Sequence, residues 1–192
     1  MGTETTPNEI SVTTTALPSW LAARVADPVR RHLPRIAEAV EQMAGPLPAV
    51  RIVITTSATG AWLTARAEAD AVGGLTARAR IRTALATWRA NRRSSAMAAC
   101  VLASDHVLVL VFATAPPTRA EDDLIATLGH ELVHAAQLHR PGRRTAQLEN
   151  LRANHRLIQR PIADSYRAEA QVCLEEAEAH ELEPALLAAA RT

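Results

Sequence analysis

The sequence predicts a single α+β domain in which a small sheet precedes a helical C-terminal half. Two observations carry this prediction. Short runs rich in β-branched and apolar residues occur between positions 49 and 113, and apolar residues recur at helical spacing from about position 118 onward. The chain has 192 residues, which is enough for one domain with a core that needs no disulfides. Residues 1–17 are rich in threonine and lack periodicity, so they are predicted to be a disordered tail and the domain to span 18–192.

The first predicted element is a helix that begins near Trp20. Asp27 and Pro28 resemble an N-cap followed by proline at the first helical position, which would start a helical segment there. Pro34 is expected to kink the helix, and Gly45 followed by proline is expected to end it. The apolar stripe that supports the helix recurs every three or four residues and comprises Leu21, Val25, Val29, Leu33, Ile36, Val40 and Met43.

Three segments form the predicted middle of the domain. Residues 49–56, AVRIVITT, read as a strand. Residues 76–93 fit a helix over most of their length, although their first part also alternates like a strand. Residues 97–103 and 106–113 flank a short turn and predict a β-hairpin. The second run, HVLVLVFA, is apolar enough for an inner strand covered on both faces, and its edge is a possible place for an extended peptide.

Three helices are predicted after the hairpin. TRAE, from Thr118 to Glu121, has the form of a capping box and should open a helix that reaches about His139. A second helix is predicted over 145–159. A last helix, capped by Asp164 or Ser165, should extend at least to Leu182.

Composition excludes several classes of protein. The net charge is +1, which favours neither a nucleic acid nor a membrane as partner. No signal peptide and no apolar run near the roughly 20 residues of a bilayer span are present, so a cytoplasmic protein is expected. Cys100 and Cys173 are too few for a disulfide framework. Six arginines lie between Arg78 and Arg93, and we interpret them as a solvated face or as salt-bridge partners of the acidic C-terminal helix.

The stretch TLGHELVHAAQ contains an HExxH motif on the first of these C-terminal helices. His130 and His134 are four residues apart, so they lie on one helical face and can offer two imidazole nitrogens to one metal ion. Glu131 is rotated by about 100° from His130, which directs its carboxylate toward a water on the metal rather than toward the metal itself. The motif therefore predicts two ligands of a Zn²⁺ ion and one general base.

A catalytic zinc site needs a third protein ligand. The metzincin pattern fails, because Gln137 and Arg140 occupy the positions of its glycine and third histidine. Glu169 is the stronger candidate, since it follows the start of the last helix by one turn and small alanines flank it. His155, on a separate helix, remains an alternative.

An HELVH sequence followed some tens of residues later by a Glu-Ala step resembles the gluzincin branch of the zincin metallopeptidases. It is most similar to small single-domain members such as minigluzincins and the ImmA/IrrE-like proteases, over about residues 100–182. The resemblance implies a zincin-like fold, with His130, His134 and Glu169 as zinc ligands and Glu131 as the base. The sequence lacks the Asn-Glu step of the thermolysin pattern, which leaves the nearby acidic residues Glu175, Glu176 and Glu178 as rivals for the third ligand.

Gluzincins usually carry a tyrosine or histidine that stabilises the oxyanion, and Tyr166 lies one helical turn before Glu169. Tyr166 and His155 could equally be packing residues. The resulting hypothesis is a zinc-dependent hydrolase that acts on peptide bonds of a peptide or protein substrate. Two alternatives remain: a biosynthetic metalloenzyme acting on a small molecule, and a binding or regulatory protein that keeps the metal for stability.

Overall fold

The computed structural model describes residues 9–94, 96–115 and 120–192. Over these residues the chain forms a four-stranded mixed sheet and six helices, which confirms the α+β class. The elements, in chain order, are β1 (Ile10–Thr14), α1 (Ser19–Met43), β2 (Val50–Thr55), α2 (Ser57–Val72), α3 (Ala77–Ser94), β3 (Ala98–Leu102), β4 (Val107–Phe112), α4 (Glu121–His139), α5 (Arg143–Asn154) and α6 (Ile162–Arg191).

The sheet has the strand order β1-β2-β4-β3. β1, β2 and β4 are parallel to one another, and β3 pairs with β4 in the antiparallel direction, as the predicted hairpin requires. β4 is an inner strand in which every residue is buried, as predicted. Its two edges are taken by β2 and β3, so the prediction that its edge could hold a peptide is wrong. Within the described sheet, β3 pairs with β4 on one side and is itself an edge strand.

The sheet is covered on both faces because alternate residues of β4 point in opposite directions. Val107, Val109 and Val111 join the larger core, to which α1, α4 and α6 contribute. Leu108, Leu110 and Phe112 point to the other face, where α2 packs. Gly60 of α2 lies directly against the Phe112 ring, and a Cβ at this position would be 2.4 Å from Cε1.

The N-terminal predictions need two corrections. Residues 1–8 of the predicted tail lie outside the described residues, but residues 10–14 of it form β1. Their β-branched side chains suit a strand, and β2 pairs with one side of their backbone. α1 is one continuous helix that contains Pro28 and Pro34, so Asp27 is not an N-cap. Each proline removes a backbone hydrogen bond, but the buried stripe of α1 outweighs this loss. That stripe comprises Val25, Ala26, Val29, Leu33, Ile36, Ala39 and Val40.

α2 and α3 form a helical hairpin, and α2 packs on the sheet face that carries Leu108, Leu110 and Phe112. The turn between them uses Gly73 and Gly74, whose φ angles of 70° and 77° suit glycine. The ambiguous segment 76–93 is therefore helical, whereas α2 was not predicted. α3 packs on α2, and no ion pair joins its arginines to α6 within the described part of the chain. Of the two interpretations of these arginines, the solvated face is confirmed, because all six are exposed, and pairing with the acidic helix is wrong.

The boundaries of the C-terminal helices also differ from the prediction. Ala120 occupies the N-cap position of α4, and Thr118 of the predicted capping box lies outside the described residues. α5 is shorter than predicted and ends at Asn154. α6 begins at Ile162 after Pro161, which places Asp164 and Ser165 in its first turn instead of at its cap. None of the described helices has the length and apolar content that crossing a membrane requires.

Candidate metal centre

α4 and α6 bring two histidines and one carboxylate together. His130 and His134 lie on one face of α4, as predicted, with their Nε2 atoms 3.0 Å apart. Glu176 of α6 faces both rings, its Oε2 at 3.4 Å from His130 Nε2 and its Oε1 at 3.4 Å from His134 Nε2. These three side chains offer ligand atoms close enough together to hold one metal ion.

The antiparallel crossing of α4 and α6 explains why Glu176 is the residue opposite the histidines. Near one end of the contact, Gln137 Nε2 donates to the Glu175 backbone carbonyl. Near the other end, Gly129 lies so close to Leu186 that a Cβ would be 3.1 Å from its Cδ1. The glycine before His130 thus allows a close approach of the partner helix, as its small size suggested.

The neighbouring acidic residues of α6 are engaged elsewhere. Glu175 accepts a hydrogen bond from Arg143 at 2.7 Å. Glu178 accepts one from Arg140 at 2.8 Å, and this guanidinium holds the pKa of Glu178 below its usual value. Glu176, between them in sequence, points to the other side, where the histidines lie. Arginines therefore neutralise two of the three rival ligands.

Hydrogen bonds at Nδ1 hold both imidazole rings so that their Nε2 atoms face Glu176. His130 Nδ1 donates to Glu183 Oε1 at 2.8 Å, since a carboxylate can only accept. His134 Nδ1 donates to Gln137 Oε1 at 2.8 Å, and the Gln137 amide is oriented by its own donation to Glu178 Oε2. With the proton on Nδ1, a neutral imidazole keeps a lone pair on Nε2, the form that binds metals.

Glu131 is buried beside the histidines, with 9% of its surface exposed. Burial, reinforced by the negative charge of Glu176, raises the pKa of Glu131 to about 8. The backbone N–H of Cys100, on β3, donates to its carboxylate and opposes this rise. Burial also lowers the pKa of His130, with a further contribution from His134.

These groups line a cleft of about 350 Å³ between β3, α4, α5 and α6. Residues Ala98 to Cys100 of β3 form one wall, and Gln147 of α5 with Val172 of α6 contributes the other. The histidines, Glu131 and Glu176 thus lie on the wall of a cleft that a ligand could enter.

Glu169, predicted as the third ligand, is not at this centre. It lies on the same face of α6 as Glu176 but seven residues earlier, about 10.5 Å along the helix. Because α4 ends at His139, Glu169 lies beyond its end and instead lines a separate cavity with Asn150 of α5. Glu176, one of the predicted rivals, takes the position opposite the histidines.

The two other predicted site residues are also elsewhere. Tyr166 is 68% exposed and precedes Glu176 by ten residues, about 15 Å along α6, so it cannot stabilise an oxyanion at this centre. His155 forms a hydrogen-bonded pair with Glu68 of α2 at 3.0 Å, which gives it a structural role between α2 and the end of α5. Burial raises the pKa of Glu68.

A second group of potential ligands adjoins the first. His180 Nδ1 and His130 Nδ1 both lie 2.8 Å from Glu183 Oε1, and these three residues could also hold a cation. This group lacks a buried carboxylate comparable to Glu131. It also requires His130 to use Nδ1, the nitrogen that orients its ring toward the first group.

Sequence reasoning missed Gln137, His180 and Glu183. The seven-residue spacing of Glu176 and Glu183 places both on one face of α6 and was the available signal for this pair.

Comparison of the chain with protein-family models, with curated proteins and with solved structures found no match. The chemistry of the centre must therefore be argued from its own residues.

Proposed function

We propose that this protein is a zinc-dependent hydrolase that cleaves peptide bonds, with a zincin-like arrangement of its active site. The observation that carries the proposal is the convergence of His130, His134 and Glu176 on one point beside a buried glutamate in an open cleft. Two histidines and one carboxylate are the ligand set of several zinc peptidases.

The spacing of the three donors supports zinc. Ligands at about 2.0–2.2 Å from a tetrahedral ion are about 3.3 Å from one another. The two Nε2 atoms are 3.0 Å apart, and each lies 3.4 Å from a different oxygen of Glu176, so the donors are separated by about the distance that such an ion requires. Two Nε2 lone pairs and a carboxylate would repel one another at these distances, so a divalent cation suits the donor set.

When bound, zinc lowers the pKa of a water molecule and polarises a carbonyl oxygen. The positive charge of the ion would favour the ionised form of Glu131, which burial alone disfavours. The Glu131 carboxylate could then take a proton from a water molecule in the cleft and pass it to the leaving amine. The Cys100 N–H fixes the Glu131 carboxylate on the β3 side of the cleft. Glu183 and Gln137 keep the imidazoles in the required tautomer.

The edge strand supports a peptide as substrate. Met97 and Ala103 make backbone hydrogen bonds to the hairpin partner strand, and alternate residues in an antiparallel pair point the other way. The backbone groups of Ala98, Cys100 and Leu102 therefore face outward, on the side of Glu131. An extended peptide could add to this edge by backbone hydrogen bonds and place a peptide bond at the metal centre.

Substitution Glu131→Gln tests the proposal. Gln has nearly the same shape but cannot accept the proton, so hydrolysis of a peptide library should fall at least ~10²-fold while zinc content is kept. Glu169→Gln is the matched control, because it makes the same change on exposed α6 and should leave both unchanged. Wild-type turnover in Glu131→Gln would contradict the mechanism.

The alternatives predict other results. A small-molecule metalloenzyme would leave the peptide library intact while still needing Glu131 for turnover of its own substrate. A binding protein with a structural metal would be indifferent to Glu131→Gln and sensitive only to loss of His130, His134 or Glu176. The backbone groups of β3 that line the cleft favour peptides over both.

A further inference from the structure

One region of the chain has a charge unlike the rest. Residues 71–104 contain six arginines and no acidic residue, whereas the other 15 arginines are outnumbered by 20 acidic residues. All six lie on α3. The net charge of +1 therefore conceals a strongly basic helix on an otherwise acidic protein.

The arginines of α3 are directed to one side. At 100° per residue, five of them fall within an arc of about 100°. Across residues 9–94, 96–115 and 120–192, no acidic side chain forms an ion pair with any of them. The five are Arg78, Arg82, Arg89, Arg92 and Arg93.

An apolar groove runs beside this basic face, between α2 and α3. Trp62 is 55% exposed, Ile81 47% and Leu85 46%, and Trp88 completes the lining. Two adjoining cavities of about 240 and 450 Å³ share Trp62 and Ile81, so the groove is continuous. From Ile81 to Trp88 it follows α3 for about 10.5 Å, the length of two helical turns.

We propose that this α2–α3 groove is the docking site for an acidic amphipathic helix of a partner protein. Apolar side chains at positions i, i+4 and i+7 of the partner enter the groove. Its aspartates and glutamates meet the arginine face. The complementarity rests on five arginines that form no ion pair within the described residues and on an apolar surface that water otherwise covers.

The shape of the groove favours a helix over the other anionic partners. A bilayer surface would meet apolar side chains that protrude, but here they line a concavity between two helices. Single-stranded nucleic acid would need several free aromatic faces in succession. The Arg92 guanidinium lies 5.1 Å over the Trp88 ring, which leaves Trp62 as the exposed aromatic ring of the groove.

The test is selection of a displayed library of random 16-residue peptides on the full-length protein. We expect enriched peptides to carry leucine or aromatic residues at i, i+4 and i+7 with an excess of acidic residues between them. A synthetic peptide of the consensus sequence should then bind at least tenfold more weakly to Leu85→Ser and to the double variant Arg78→Glu/Arg82→Glu. The matched control Arg24→Glu/Arg35→Glu, on exposed positions of α1, should change the Kd less than twofold.

Circular dichroism serves to check that each variant is folded, which we expect because all substituted side chains are exposed. The proposal is overturned if no peptide is enriched, if the enriched peptides lack acidic residues, or if both groove variants bind the consensus peptide normally. Vesicles of phosphatidylcholine and phosphatidylglycerol and a 20-base-pair DNA duplex serve as the other ligands. Tighter binding of either of these than of the peptide, lost in the same variants, would also overturn it.

Discussion

Removal of Glu183 should weaken zinc binding although Glu183 is not one of the three proposed ligands. Its carboxylate accepts a hydrogen bond of 2.8 Å from His130 Nδ1, which fixes both the tautomer and the ring orientation. Substitution of such partners typically lowers metal affinity 10–100-fold. Glu183 has 31% of its side chain exposed, so water replaces part of the lost interaction. We therefore expect Glu183→Ala to raise the zinc Kd about 10–30-fold, which is about 1.4–2 kcal/mol.

The measurement is competition for zinc against a chromophoric chelator at pH 7.5. Glu183→Gln keeps an accepting oxygen but not the charge, so it should recover part of the affinity. Glu176→Ala removes a ligand and should have a larger effect than Glu183→Ala. Glu169→Ala is the control, because Glu169 lies two turns before Glu176 on the same helix, and it should leave the Kd unchanged.

Two results would refute this reasoning. If Glu183→Ala binds zinc as tightly as the wild type, the His130–Glu183 bond does not orient the ring. If His180→Ala abolishes binding while Glu176→Ala does not, the ion is held by His130, His180 and Glu183 instead.

Two further predictions concern stability. Gly60→Ala should lower the free energy of unfolding by about 1–2 kcal/mol in a denaturant titration, because its Cβ would lie 2.4 Å from the buried Phe112 ring and the gain in helix propensity offsets only about 1 kcal/mol. Phe112→Leu in the same background should remove most of this extra cost, and an unchanged midpoint for Gly60→Ala would contradict the packing. In the metal-free protein, the Glu131 pKa of about 8 lies above its unfolded value near 4.5. The stability that this group contributes is thus complete below about pH 4.5 and is lost as pH rises to 8, by on the order of a few kcal/mol. Glu131→Gln should flatten the pH dependence of the melting temperature over this range, and an unchanged slope would show that other groups cause it.

The sequence allowed the central part of the fold and half of the candidate site to be predicted. The hairpin β3–β4 and the helix with HExxH follow from local periodicity, so they were found. β1 was missed because its pairing partner is 40 residues away in the sequence. In addition, the threonines of this edge strand give it the composition expected of a disordered tail. α2 was missed because its alanine-rich sequence has no pronounced apolar stripe.

The third proposed ligand, Glu176, could not be predicted from local sequence because its position depends on where two helices cross. Glu169 and Glu176 lie on the same face of α6. Contacts between the two helices, such as those of Gly129 with Leu186 and of Gln137 with the Glu175 carbonyl, determine which one faces the histidines. The alanines beside Glu169 suggested a close approach, but the approach occurs two turns or more further along. Pairing of Glu175 and Glu178 with arginines likewise requires residues of the α4–α5 connection.

The most direct test of the central claim is an anomalous-difference map recorded at the zinc edge from crystals of the zinc-loaded protein. We predict one peak per chain, bound by Nε2 of His130, Nε2 of His134 and a carboxylate oxygen of Glu176, with protein ligands at about 2.0–2.2 Å. Glu131 should lie near the ion without binding it. A peak held by His180 and Glu183, or a site in which Glu169 replaces Glu176, would contradict the account.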